Sequence, residues 1–370
     1  FSCQYVRGGG ENGLRAMKIL ILGGTIFLGR HLADSAVARG HQVTLFNRGT
    51  HIGSSGTAIE RLRGDRTHGL QALQGRRWDA VIDTCGYEPD VVAKSAMFLA
   101  DSVDHYTFIS TIAVYADLGQ EDIDETLAVA TRGSDDVRLR RAKNGRPDQT
   151  ESTCDDQGPR YWPATYGPLK AECEKLVEIL MAGRSLCIRP GTIVGPYDQS
   201  GGLTYWARRL ASDSAVLAPD PRNNSVQLID ARDLSTWVMR MVEGRQTGIY
   251  NATGPRGHLS REEFLECCRQ ATRGKAEVVW VDDDFLIEHG VAPWSGIPWW
   301  VPAKDSHHAG LFKINCDKAF KAGMQLRPLD QTVQDTLAGV QSDGSGFITT
   351  NEESELLKAW LEHHPPNSAR

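Results

Sequence analysis

The sequence predicts an α/β fold, a doubly wound parallel sheet with a smaller C-terminal region on the substrate side. Three observations carry this expectation. A glycine-interrupted junction at residues 18–29 joins an apolar run to a helical pattern. Short apolar runs then alternate with helical stretches as far as Ile109. Further on, Tyr166 and Lys170 stand about one helical turn apart. Alternation of this kind implies right-handed crossovers and a ligand held at the carboxyl ends of the strands.

Ile19 to Leu22 is fully apolar, as a parallel strand buried on both faces requires. Gly23 and Gly24 end it, and Leu28, Leu32, Ala33, Ala36 and Val37 then recur at helical spacing. This order brings backbone N–H groups and the positive end of a helix dipole to one turn, which suits a pyrophosphate. Gly23, Thr25, Ile26, Phe27, Leu28 and Gly29 are therefore candidate cofactor-binding residues. His41 to Phe46 reads as the second strand, ending at Asn47-Arg48. An acidic side chain at that point would engage the ribose hydroxyls of NAD(H), whereas an arginine suits a 2′-phosphate. Arg48 thus predicts NADP(H) as the preferred cofactor, with NAD(H) as the alternative. Arg61 to Asp65 reads as a third strand whose turn brings Asp65 near an adenine edge. Asp79–Asp83 and His105–Ile109 are the next two strands. Asp83 and Ser110, at their ends, join the cofactor set, and Cys85 reads as a small core residue close to it.

Tyr166-Gly167-Pro168-Leu169-Lys170 opens a helix that Thr165 can cap, with Pro168 tolerated in its first turn. A phenol ordinarily titrates near 10, and an adjacent ammonium lowers that value toward the range useful for proton transfer. At this point the chain resembles the short-chain dehydrogenase/reductase superfamily, in its extended and atypical branches of epimerases, dehydratases and related reductases. Four stretches carry the resemblance: Gly23 to Gly29, Ser110 to Tyr115, Tyr166 with Lys170, and Arg189 to Pro196. It covers roughly residues 17–255. It implies a Rossmann-type fold and a catalytic set in which Thr111 holds the substrate oxygen, Tyr166 transfers a proton, and Lys170 contacts the ribose. It also implies that Arg189 and Gly191 pass under the nicotinamide.

The resemblance has two departures. Ile26 stands where the extended pattern expects its middle glycine, a form also associated with chloroplast stem-loop-binding relatives. Val226 stands where sugar-nucleotide enzymes usually carry a diphosphate-clamping arginine, and Arg222 would substitute only if the Asn223-Asn224 loop folds back.

The net charge of −6, from 41 basic and 47 acidic residues, argues against a sequence-independent nucleic-acid binder. The chain has no apolar run long enough to span a bilayer. The eight cysteines show no zinc-like spacing, so no metal site is expected, and a reduced, cytoplasmic setting is the simplest reading. Residues 1–16 read as a disordered extension and residues 118–160 as a polar insertion bordering the site. The expected organisation is a dinucleotide-binding domain over 17–190 with 226–254. Residues 191–225 and 255–345 supply a substrate region, and a helix closes the chain over 350–365. Ser260 with Glu263 is a capping box for a helix through Arg269. Trp280 opens an irregular aromatic stretch that includes Trp294, Trp299 and Trp300. Tyr197, Gln199, Tyr205, Trp294 and Trp299 are the candidate substrate residues.

The expected activity is carbonyl reduction or secondary-alcohol oxidation on a small, apolar or aromatic-bearing substrate. The alternatives are a sugar-nucleotide epimerase or dehydratase using transient oxidation, and a non-catalytic cofactor sensor or RNA-associated protein. A monomer or homodimer is expected.

Overall fold

The computed structural model describes residues 15–51, 59–132, 162–339 and 346–364, with the backbone of two short strands at 154–155 and 158–159. The expected N-terminal extension up to residue 14 and the later part of the 118–160 insertion lie mostly outside the described residues.

The first half alternates as the sequence predicts. It runs β1 (Lys18–Leu22), α1 (Phe27–Ala38), β2 (Gln42–Asn47), β3 (Ile59–Arg63), β4 (Trp78–Asp83), α2 (Pro89–Leu99) and β5 (Val103–Ile109). The two-residue strands β6 (Cys154–Asp155) and β7 (Gly158–Pro159) precede α3 (Tyr166–Leu180) and β8 (Ser185–Pro190). Then come β9 (Thr192–Val194), α4 (Gly202–Leu210), β10 (Val216–Asp220), β11 (Leu228–Asp230), α5 (Ala231–Glu243) and β12 (Gly248–Ala252). The chain continues through α6 (Arg261–Thr272), β13 (Val278–Asp282), α7 (Asp283–Glu288), α8 (Asp317–Lys321), α9 (Leu329–Ala338) and α10 (Thr350–His363).

Seven strands form one parallel sheet in the order β3-β2-β1-β4-β5-β8-β12. The order reverses between β1 and β4, the crevice where doubly wound sheets hold ligands. Side chains alternate across the sheet with period two. Ile19, Ile21, Leu45, Ala80 and Ile82 belong to the core layer shared with α1 and α5. Leu20, Leu22, Phe46, Val81, Tyr106 and Phe108 belong to the opposite layer with Val92, Ala96, Leu99, Cys173 and Val177 of α2 and α3. Both faces are therefore dry, which is why these strands read as continuous apolar runs.

Two elements depart from expectation. Trp280 lies in β13, paired with β10 through Ala218, and does not open an irregular stretch. α5 starts at Ala231, because Asp230 caps it by accepting from the Arg232 N–H. Thr165 occupies the cap position of α3 without making a side-chain cap bond. The Ser260–Glu263 capping box forms as expected, and a second one, Thr349 with Glu352, starts α10. Among the described residues no helix is long and apolar enough to cross a membrane.

Candidate functional site

The glycine turn sits at the carboxyl ends of β1 and β4. The Gly23 N–H donates to Phe46 O, and the Thr84 N–H and hydroxyl both donate to Leu22 O. Gly24 adopts φ +82°, a conformation that disfavours any side chain. A Cβ at Gly29 would lie 2.8 Å from the Cα and N of Gly24, so α1 approaches the turn backbone to backbone. Ile26, at the helix cap, has no side chain able to satisfy the first N–H groups of α1, and that turn holds no acidic residue. An anion fits such a helix start. Thr25, Ile26 and Phe27 keep part of their surface open, while Leu28 and Gly29 are buried. Asn47 acts on the turn itself: its Nδ2 donates to Gly23 O, and its Oδ1 accepts from the Gly49 N–H.

Arg48 is exposed at the end of β2. Half-buried Asp65 accepts from the Thr67 N–H at 2.7 Å, and that bond, helped by the Arg48 charge, holds its carboxyl below the usual range.

Asp83 differs from the cofactor-ligand reading. Its buried carboxylate receives Arg66 Nη1 and Nη2 at 2.9 and 2.8 Å, the Tyr106 hydroxyl at 2.9 Å and the Cys85 N–H. It is an internal anchor, and burial raises the Tyr106 phenol beside it. The Arg189 side chain is likewise engaged inside the protein. Its guanidinium forms a buried ion pair with Glu174 on α3 and lies 4.9 Å from the Tyr115 ring centroid. Gly191 serves packing, since a Cβ there would meet Thr253 Oγ1 at 2.6 Å. Ser110 is buried at the end of β5, its Oγ without a hydrogen-bond partner.

The Thr111 and Tyr166 side chains meet. Thr111 caps a single turn of 3₁₀ helix by accepting from the Ala113 N–H at 3.1 Å. α3 presses on that turn at Gly167, where a Cβ would fall 2.0 Å from Ala113 O. This close approach brings Tyr166 near the Thr111 hydroxyl, which acts on its phenol. Burial first, and Tyr87 second, push that phenol well up, while the Thr111 hydroxyl draws it down. The phenol therefore holds its proton at neutral pH.

Lys170 behaves otherwise than its spacing suggests. Its buried Nζ donates to Gly86 O at 2.8 Å and Ile109 O at 2.6 Å, and stands 4.1 Å from the Phe108 ring centroid. Burial lowers its affinity for a proton. The ammonium ties α3 to the ends of β4 and β5, and what draws the tyrosine down is the nearby Thr111 hydroxyl.

The candidate substrate residues separate into three groups. Trp299 is buried against Phe264, its ring 2.8 Å from where a Gly202 Cβ would lie, and Tyr205 is buried between Trp206 and Phe347. Both are core residues, which corrects that reading. Tyr197 packs under α1, with the Arg30 guanidinium 3.7 Å from its ring centroid and His31 beside it. Gln199 is exposed. Trp294 belongs to an aromatic cluster that sequence reasoning missed. It stacks on Phe312 at 6.0 Å and meets Trp162 edge-on at 6.4 Å, and Trp162 meets His308 at 6.1 Å. Trp162 stands four residues before Tyr166, in the segment where the Tyr166 N–H donates to Pro163 O. A tryptophan just upstream of the tyrosine was the one available signal. Among the described residues no group of three or more His, Cys, Asp or Glu could hold a metal ion.

No protein-family model matches the chain. Among curated proteins, it is 23% identical over 272 residues to the chloroplast stem-loop binding protein of 41 kDa b from Arabidopsis thaliana. That match covers 69% of this chain and 63% of that protein. Among solved structures, the Bordetella bronchiseptica enzyme WbmH in complex with NAD+ superposes with a TM-score of 0.61 at 15% identity, covering 89% of this chain and 100% of its own. UDP-glucuronic acid 4-epimerase from Bacillus cereus, in complex with NAD, superposes at 0.59 and 14% identity, covering 87% and 98%. WbmG from Bordetella bronchiseptica, in complex with NAD and UDP, superposes at 0.59 and 16% identity, covering 90% and 98%. At these identities the likeness is one of fold.

Proposed function

We infer that this chain, which has the fold of the extended short-chain dehydrogenases/reductases, is a nicotinamide-dinucleotide enzyme that interconverts a secondary alcohol and a carbonyl. The observation that carries the reading is the meeting of the Thr111 and Tyr166 side chains at the carboxyl end of the sheet, beside a glycine turn that fits a pyrophosphate. When bound, the dinucleotide supplies or removes the hydride. The chain's own residues do the rest. The Tyr166 phenol holds a proton it can give to a carbonyl oxygen, and Thr111 hydrogen-bonds the same oxygen. Lys170 fixes α3 against the strands by donating to Gly86 O and Ile109 O.

The epimerase and dehydratase names of the structural neighbours support a reaction in which the alcohol–carbonyl step is one half of a rearrangement. They weigh toward a hydroxylated, sugar-like substrate over the apolar ketone expected from the tryptophans. That earlier expectation leaned on Trp299, a core residue. The wall of Trp162, Trp294 and Phe312 remains and can stack on the C–H face of a sugar. We also propose that the exposed Arg48 favours NADP(H), although the neighbours named above carry NAD. Residues 191–225 and 255–339 then build the substrate side.

Tyr166→Phe tests the reading. It is expected to leave dinucleotide affinity nearly unchanged by calorimetry and to lower turnover by roughly a hundredfold or more. Wild-type turnover in the Phe variant would remove the assignment. The likeness to a stem-loop binding protein favours a second reading, RNA association. Its test is retention of a stem-loop RNA that falls steeply with salt.

A further inference from the structure

We propose that Arg63, on the edge strand β3, completes with Arg48 a seat for the 2′-phosphate of NADP(H) and is a second residue that selects this cofactor; the proposal rests on the Arg48 reading above. β2 and β3 run parallel with Asn47 opposite Arg63, so the two arginines come at the carboxyl ends of adjoining strands. Arg63 Nε donates to Arg48 O at 3.1 Å. Its stem lies across Gly49, where a Cβ would stand 3.3 Å from that Nε. Gly49 adopts φ +75°, a conformation that favours glycine, so no side chain competes for this space. With Nε committed to the Arg48 carbonyl, the two Nη groups remain as donors, in the planar fork that suits a phosphate.

One side chain ties this pair to the dinucleotide turn. Asn47 accepts from the Gly49 N–H through Oδ1 and donates to Gly23 O through Nδ2. A hydrogen-bonded path therefore joins the glycine turn, which fits a pyrophosphate, to the segment that carries both arginines. In a dinucleotide the adenosine ribose adjoins the pyrophosphate, so its 2′ position falls at the end of the second strand.

The charges point the same way. Guanidinium groups on adjoining strand ends repel each other, yet among the described residues neither has a carboxylate within ion-pair distance. Glu60, the acidic residue of β3, is taken by Arg76 at 2.7 Å and by the Thr44 hydroxyl. Asp65 accepts from the Thr67 N–H. The stretch joining the strands, residues 49–58, contains no aspartate or glutamate. Both arginines are exposed, so a dianion can reach them. If Arg63 served only to pin the Arg48 carbonyl, its loss would disturb NADPH and NADH alike.

Calorimetric titration of the full chain with NADPH, NADH, 2′,5′-ADP and 5′-AMP tests the assignment. Arg63→Gln is the informative variant, since its amide can still donate to Arg48 O while the charge is gone; Arg63→Ala removes both. Wild type should bind NADPH more tightly than NADH, and 2′,5′-ADP more tightly than 5′-AMP. Arg63→Gln should weaken NADPH and 2′,5′-ADP by about ten- to a hundredfold, and NADH and 5′-AMP by less than about twofold, as for one charge-assisted contact. Arg63→Ala should weaken NADPH at least as much. A wild-type preference for NADPH that Arg63→Gln leaves intact, or equal weakening of NADPH and NADH, would overturn the proposal and leave Arg48 as the selecting residue. A comparable loss for 5′-AMP would mark a general phosphate patch and overturn it too. Equal affinities for NADPH and NADH in wild type would remove the Arg48 reading with it, and no binding of either dinucleotide would remove the nicotinamide-dinucleotide reading as well.

Discussion

The glycine turn at residues 23–29 and the aromatic stretch at residues 294–312 both bear on the candidate site, yet they are built in opposite ways. At the turn, backbone meets backbone: Gly29 against Gly24, Gly23 against Phe46 O, Thr84 against Leu22 O. Residue type is dictated locally, because a Cβ has nowhere to go. In the aromatic stretch, side chains meet partners far away in sequence: Trp294 with Trp162, Trp299 with Phe264, His308 with Trp162. Trp294 and Trp299 even take positive φ, 65° and 62°, which the local chain does not favour for a bulky residue, and only the assembled fold decides which tryptophan is core and which is wall.

The sharpest way to break this comparison is to fill the turn. Gly29→Val places a branched side chain against the Gly24 backbone, which has no rotamer to yield. Overpacking of this kind costs about 1–3 kcal/mol, and the displaced helix start should lose at least a hundredfold in dinucleotide affinity by calorimetry. Trp294→Ala should leave that affinity untouched. Equal dinucleotide binding in wild type and Gly29→Val would mean that the turn is not the cofactor seat.

Within the aromatic stretch, two alanine variants should part company. Trp299 is buried on Phe264 and over Gly202, so Trp299→Ala opens a cavity that should lower stability by about 3–5 kcal/mol in urea unfolding. Trp294 is half-buried, stacked on Phe312. Its alanine variant should unfold closer to wild type and instead raise KM for the substrate. Similar unfolding midpoints for the two would erase the distinction between core and wall.

The same contrast explains what the sequence made legible. β1, β2, β4 and β5 are buried on both faces, so their apolar runs announced them, and alternation pointed to a doubly wound parallel sheet though not to its strand order. Thr111 and Tyr166 were singled out because each sits beside a local signature. The charge partners were not. Asp83, Lys170 and Arg189 all look like site residues at the carboxyl ends of elements. Their heads are taken up by Arg66, by Gly86 and Ile109 carbonyls, and by Glu174 respectively. No spacing rule reports a contact across 84 residues, such as that from Lys170 to Gly86. β13 escaped notice for a related reason: its partner β10 lies in a separate two-stranded sheet, and Val278, Val279 and Trp280 are only half-buried.

A smaller effect is expected at the ribose end of the turn. Arg48 is exposed, its charge opposite Asp65. If it meets a 2′-phosphate, Arg48→Ala should weaken NADPH by about ten- to a hundredfold while changing NADH little, as expected for one charge-assisted contact. Equal NADPH and NADH affinities in the wild type would show that Asn47-Arg48 does not discriminate, and would separate the locally dictated turn from the side chain that follows it.

The smallest effect should come from two buried histidines that tie the cofactor half together. On α1, His31 Nε2 lies 2.8 Å from Pro196 O; on β5, His105 Nε2 lies 2.8 Å from Gln246 O. Burial is the largest influence on both rings and lowers them from the ordinary 6.5. The unfolded chain, with its histidines near 6.5, therefore binds more protons than the folded one just below that pH. Stability must then rise with pH through the interval. The two contributions are fully present above about 6.5 and are lost as the pH falls through the lower folded values. Carboxylates titrate mostly below this window, so urea unfolding between pH 7.5 and about 5.5 isolates the histidine contribution. Wild type should weaken steadily on acidification, and His105→Gln, which keeps a donor for Gln246 O, should flatten part of that slope. A slope that His105→Gln and His31→Gln both leave untouched would take the acid sensitivity away from these backbone-bonded rings.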